Sequence, residues 1–114
     1  IRQNEAMQAG VLRFKADGTP DLTFGNGGEL LLDIEGDRSV LNDLVVESDG
    51  TIFVAGSVKN KGFGQAFAAR LHPDGELDPG FAAEGVFRSD FGYENVAEAV
   101  AVQQDGTVVL AGFG

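Results

Sequence analysis

Arg70-Leu71-His72-Pro73-Asp74-Gly75-Glu76-Leu77-Asp78-Pro79-Gly80-Phe81 settles the architecture of this chain, because the chain spells the same pattern twice. Fifty-seven residues earlier it reads Arg13-Phe14-Lys15-Ala16-Asp17-Gly18-Thr19-Pro20-Asp21-Leu22-Thr23-Phe24, with Arg, Asp-Gly, Asp and Phe at matching places. Extending the alignment adds Gly28 and Asp33, which return as Gly85 and Asp90. After one deletion opposite Glu35, Gly36, Val40, Val46, Asp49, Gly50, Thr51, Ala55 and Gly56 return as Gly92, Val96, Val102, Asp105, Gly106, Thr107, Ala111 and Gly112. Self-similarity at a fixed period of this length is the signature of a repeat architecture, so the chain divides into copies at 1–57 and 58–114.

Each copy reads as four short strands. In the second copy the first strand runs from Ala66 to Leu71 and ends in His72-Pro73-Asp74-Gly75, a turn with Pro at its second position and Gly supplying positive φ at its fourth. Asp78-Pro79-Gly80-Phe81 suits a capped single helical turn, with Phe81 (Phe24 in copy one) pinned to the core. The remaining strands are Gly85–Phe91, Val96–Gln103 and Thr107–Gly112, the last two joined by Asp105-Gly106, as Asp49-Gly50 joins their counterparts. The fourth strands, TIFVAG and TVVLAG, are almost continuously apolar, as strands are when both faces are covered. The expected fold is all-β: two tandem four-stranded antiparallel repeats, read as β-propeller blades. The alternatives are a β-solenoid-like stack or a small sandwich.

The stretch from Arg70 to Gly112, and more loosely Arg13 to Gly56, resembles the bacterial delta-60 repeat, a domain grouped with β-propellers. Copy one departs from it at Lys15-Ala16 and Leu22-Thr23. The resemblance implies large, repeat-built, surface or secreted proteins, and it implies no catalytic residues. Secretion or cell-surface display is the expectation, and the absence of cysteine fits a cytoplasmic chain too.

Eighteen Asp and Glu against eight Lys and Arg give a formal net charge of −10. That field repels phosphate backbones and anionic lipid, which excludes nucleic acid and membranes as expected partners. The recurring carboxylates at 17, 21, 33 and 49 and their mates could be read as Ca²⁺ ligands. Neither copy has the D-x-D-x-D-G spacing that gathers oxygens about one ion, so they read as turn formers and caps and no cofactor is expected. The single histidine, His72, lies in a turn, and without cysteine it cannot build a zinc site. No serine stands in a G-x-S-x-G elbow, and the glycine-rich stretches lack a P-loop ending, so no catalytic residue is assigned.

Arg13 and Arg70 sit inside apolar strands, which calls for partners. Asp33 and Asp90, near the end of the second strand, are the expected ones. Phe63 and Tyr93, in the loops around Asn60-Lys61-Gly62-Phe63 and Phe91-Gly92-Tyr93, are the candidate ligand contacts, as aromatic surfaces for a glycan. The sequence thus leads to a non-enzymatic, repeat-built binding or scaffold module, partnered by neighbouring repeats, by other copies of itself, or by a protein or glycan ligand. A lectin-like oligomeric propeller is the alternative. Two blades cannot close a ring, and three chains would give six blades.

Overall fold

A computed structural model of the chain describes residues 8–34, 38–60, 63–89 and 94–113. Eight strands follow one another: β1 (Gly10–Leu12), β2 (Glu29–Leu31), β3 (Arg38–Val46), β4 (Ile52–Asn60), β5 (Phe63–Leu71), β6 (Val86–Arg88), β7 (Val96–Val102) and β8 (Val108–Phe113). Every pairing is antiparallel. No helix forms among the described residues. The segments expected as single helical turns are β-turns, closed by Phe24 N–H to Asp21 O at 3.1 Å and Phe81 N–H to Asp78 O at 3.2 Å.

Each copy supplies four strands, but they do not make one sheet each. The sheets contain two, four and two strands, ordered β1-β2, β3-β4-β5-β6 and β7-β8. The central sheet therefore takes its first half from copy one and its second half from copy two, which corrects the expectation of one four-stranded sheet per repeat. The physical reason lies in the strand edges. The long, apolar β4 would otherwise leave a row of backbone donors and acceptors open, and β5 follows it after a short connection and pairs with it from Ile52↔Leu71 to Asn60↔Phe63. Pairing between repeats wins over pairing confined within them.

The three sheets stack as layers, and β4 lies in the middle one. Its side chains alternate: Ile52, Val54 and Val58 enter a core with Phe24 and Leu32 of the first sheet region and with Phe67, Ala69 and Leu71 of β5. Phe53 and Ala55 point the other way and join Ala97 and Val100 of β7. With both faces covered, the strand needs apolar residues at every position, which is why TIFVAG shows no period-two alternation.

The two copies repeat their irregularities as well as their strands. The register of β3 against β4 shifts between Leu41 and Asp43, and that of β7 against β8 between Ala97 and Ala99. Opposite each bulge lies a recurring glycine. A Cβ at Gly56 would strike the carbonyl oxygen of Val40, and one at Gly112 that of Val96. The bulge brings backbone onto backbone there, and only a residue without a side chain fits.

The seam between repeats as the candidate functional site

The Asp-Gly turns come first, because they place everything else at the seam. All four have one geometry. In the second copy His72 N–H donates to Glu76 O at 2.7 Å and Gly75 N–H to His72 O at 2.8 Å. Residues 15–19, 47–51 and 103–107 repeat both bonds. The Asp carboxylate in each turn accepts from the amide two residues on: Thr19 N–H donates to Asp17 at 2.9 Å, Thr51 N–H to Asp49 at 2.9 Å, Glu76 N–H to Asp74 at 3.0 Å and Thr107 N–H to Asp105 at 2.9 Å. Hydrogen bonds from the Thr19 hydroxyl and amide hold the Asp17 carboxyl below its ordinary range. The Thr51 and Thr107 amides do the same for Asp49 and Asp105. These carboxylates thus shape turns.

Behind the turn stands the recurring arginine. Arg13 donates through Nε to Asp21 Oδ2 at 3.1 Å, and Arg70 through Nε to Asp78 Oδ2 at 2.8 Å. Asp33 is not the partner of Arg13. The antiparallel register aligns Gly10 with Leu31 and Leu12 with Glu29, so Asp33 falls beyond the far end of the hairpin from Arg13. Asp90, expected opposite Arg70, lies outside the described residues. Asp21 and Asp78 also accept at their other oxygen, from Thr23 N–H and Gly80 N–H, both at 3.0 Å. The Asp21 carboxyl is held below its ordinary range first by the Thr23 hydroxyl and amide and then by Arg13; that of Asp78 is lowered first by the Gly80 amide. The fixed guanidinium then lies over the recurring aromatic ring, at 4.5 Å for Arg13 on Phe24 and 5.3 Å for Arg70 on Phe81.

In copy one this arginine and this ring receive the turn of copy two. Arg13 Nη1 donates to the carbonyl of Pro73 at 2.7 Å, and Gly25 N–H donates to the carbonyl of Asp74 at 2.8 Å. Gly75 rests on the Phe24 ring, and Gly50 rests on Pro73. The ring of Phe24 is fully buried as a result. The seam is thus a socket of Arg13, Phe24, Gly25 and Gly50 filled by the turn at residues 73–75. Beside it opens a cleft of about 390 Å³ with Thr23, Asn26, Glu29, Asp74 and Glu76 on its walls.

The second socket has the same parts in a different state. Phe81 is half-buried, packed edge-on to Phe53 at 5.8 Å between centroids, and no turn among the described residues lies on it. Next to it is a cleft of about 450 Å³ lined by Phe81, Ala82, Phe87, Gly106, Val108 and Leu110. Burial of Phe81 to the level of Phe24 therefore does not occur within this chain.

The layers are tied by polar contacts too. Ala9 N–H donates to Ser39 Oγ at 2.8 Å, and its counterpart Ala66 N–H donates to Asn95 Oδ1 at 2.9 Å. Asn42 and Asp43, at the bulge of β3, reach Ala97 O at 2.8 Å and Val100 N–H at 3.0 Å. Sequence reasoning did not single out these residues: Ser39 and Asn95 differ in type, and their shared role shows only once the repeats are aligned. Of the candidate ligand contacts, Phe63 is exposed at the start of β5, and Tyr93 lies outside the described residues. His72 is exposed, with Nε2 at 3.9 Å from Asp78 Oδ1. Among the described residues, no three acidic or histidine side chains converge as they would around a metal ion.

Two segments, residues 4–24 and 47–81, match a family model described as a domain of unknown function (DUF5122) beta-propeller. Both segments end on the recurring phenylalanine, and the longer one spans the β4–β5 junction and the turn that fills the first socket. The match makes this all-β chain similar to a β-propeller domain. No curated protein and no solved structure matches it.

Proposed function

We propose that the chain is a non-enzymatic, repeat-built binding or scaffold module of the delta-60 type, one segment of a propeller-like array. One observation carries this reading. Polar residues that recur in both copies are engaged in shaping their own repeat, Arg13 and Arg70 with their aspartates and the turn aspartates with the following amides, and Arg13 also reaches across to the Pro73 carbonyl of the next repeat. A catalytic centre needs an acid, base or nucleophile left free to face a substrate, and the recurring groups are committed elsewhere. Phe63 is exposed where β5 leaves its loop, and loops are where binding specificity is ordinarily carried.

The expected ligand surface is the loop end that presents Phe63, and the partners are macromolecular: neighbouring repeats, another protein or a glycan. Display outside the cell follows the same reading. A glycan array combined with a panel of ester, glycoside and phosphoester substrates tests it. The expected result is no turnover on any substrate. Turnover that survives repurification would overturn the proposal. Sugar binding lost on Phe63→Ala would place the chain in the lectin-like class.

A further inference from the structure

The filled seam inside the chain shows what fits the open one. Strand β8 corresponds to β4, and β1 corresponds to β5, by the same alignment that relates the copies. Among the described residues β4 pairs with β3 on one side and β5 on the other, whereas β8 pairs only with β7. Among the same residues β5 pairs with β4 and β6, whereas β1 pairs only with β2. The two unpaired edges are therefore those that meet in the middle of the central sheet.

The side chains match as the edges do. Ala69 and Leu71 of β5 are fully buried in the core beside Phe24, Ile52 and Val54. Their counterparts on the first hairpin, Leu12 and Phe14, are 61% and 56% exposed. The counterparts of Phe24, Ile52 and Val54 are Phe81, Val108 and Leu110, which line the 450 Å³ cleft. Among the described residues, the first hairpin thus presents two exposed apolar side chains, and β8 with Phe81 lines an open apolar cleft.

We infer that a second copy of this chain docks head to tail, its β1 pairing with β8 so that β7, β8 and the incoming β1 and β2 complete a four-stranded sheet. The inference rests on the repeat-built binding reading above and names the partner. The register follows from Val54↔Ala69 and Ile52↔Leu71 in the central sheet: Leu110 faces Leu12 of the second copy, and Val108 faces its Phe14. The turn of the second copy then fills the open socket. Its Ala16 carbonyl accepts from Arg70, its Asp17 carbonyl from Ala82 N–H, and its Gly18 rests on Phe81, as Pro73, Asp74 and Gly75 do on Arg13, Gly25 and Phe24. Gly18 and Gly106 have no neighbour to meet a Cβ in the single chain, where Gly75 and Gly50 each have one. Because the two surfaces are different patches, the contact is heterologous and closes into a ring or extends as a filament. Three copies would close six sheets. The net charge of −10 opposes the contact, so raising the salt concentration strengthens it.

The 114-residue chain is tested directly. Sedimentation equilibrium from 1 to 100 µM should show association, weakened at least tenfold by Leu12→Asp, a change at an exposed position that the single chain tolerates. Register is read by disulfide trapping, which has no background because the chain lacks cysteine. A Leu12→Cys chain mixed with a Leu110→Cys chain in glutathione buffer should give the mixed disulfide, since directly opposed cross-strand residues approach to roughly 5 Å. A Val11→Cys chain, whose side chain points to the other face, should give at least tenfold less with Leu110→Cys. A monomer at 100 µM, or equal trapping at positions 11 and 12, overturns the inference. Either result leaves the non-enzymatic reading standing, because that is judged by turnover and glycan binding.

Discussion

The two seams are built from corresponding residues, and only one of them is closed. In the first, Phe24 is fully buried under Gly75, and Phe53 on β4 is 4% exposed between two layers. In the second, Phe81 is half-buried, and Val109, the counterpart of Phe53, is 45% exposed. The Arg–Asp pair, the ring beneath it and the positive-φ turn are alike at both. What differs is the neighbour. A repeat thus prescribes its own backbone and its own polar lock, but the burial of its apolar face belongs to the next repeat along.

The largest effect is expected at the rings. Phe24→Ala should cost about 3–5 kcal/mol in urea unfolding, because it empties a fully buried site. Phe81→Ala in the unassociated chain should cost roughly half as much, since part of its ring area is never removed from water. Equal losses would mean that the two seams do not differ in burial. Next come Gly75→Ala and Gly18→Ala, which share the penalty of a Cβ at φ +99° and +92°. Only Gly75 also meets Phe24, at 3.1 Å from the added carbon, so it should be the more destabilising by about 1–3 kcal/mol. Matched losses at the two glycines would show that the turn does not press on the ring.

A smaller effect of opposite sign is expected at the second seam. Ala82 and Glu84 hold φ of +50° and +56°, where copy one has Gly25 and Gly27 at +58° and +68°. An L-residue is strained there, so Ala82→Gly or Glu84→Gly should raise stability by about 0.5–1 kcal/mol. Destabilisation by both would mean that the second copy has escaped that backbone shape.

The smallest effect per residue concerns acid. Asp17, Asp21, Asp49, Asp78 and Asp105 all have carboxyls lowered in the folded chain, chiefly by hydrogen bonds from the following residues. A carboxyl lower in the folded than in the unfolded state contributes stability that is present above its unfolded value, roughly 3.9. That contribution is lost as pH falls through the folded value. Stability should therefore be level from about pH 7 to 5 and fall below about pH 4. Asp49→Asn and Asp105→Asn should each flatten the fall slightly and to a like extent, since both turns are made the same way. A fall centred above pH 6 would point to a different titrating group.

Much of this fold is legible in the residues. The repeat, the eight strands and the four Asp-Gly turns follow from spacing and turn chemistry, because those signals are local and Asp and Gly have few other uses between β-rich runs. The continuity of TIFVAG also announces a strand covered on both sides. The phase of the sheets was not legible. Self-alignment finds the period of a repeat but not where one hydrogen-bonded sheet ends, and the pairing of β4 with β5 is a choice between edges that the period leaves open. The partner of Arg13 was misread for a related reason. Asp33 recurs just as Asp21 does, and only the antiparallel register shows that one lies beside the guanidinium and the other beyond the far end of the hairpin. The socket itself was invisible, because it is made by residues about sixty apart whose roles appear only when the turn of one copy is seen lying on the ring of the other.

The sheet straddling the repeat boundary, β3 to β6, should be the most stable unit of the chain, because its middle strands are paired on both edges and buried on both faces, and native-state hydrogen exchange followed by NMR reads this out. The slowest amides should lie in β4 and β5, with Val54, Val58, Phe67 and Ala69 exchanging together at the rate of global unfolding, while β1 and β8 exchange faster through local opening. Exchange in two independent blocks, residues 1–57 and 58–114 each opening as a unit with the β4–β5 pairing lost first, would contradict it.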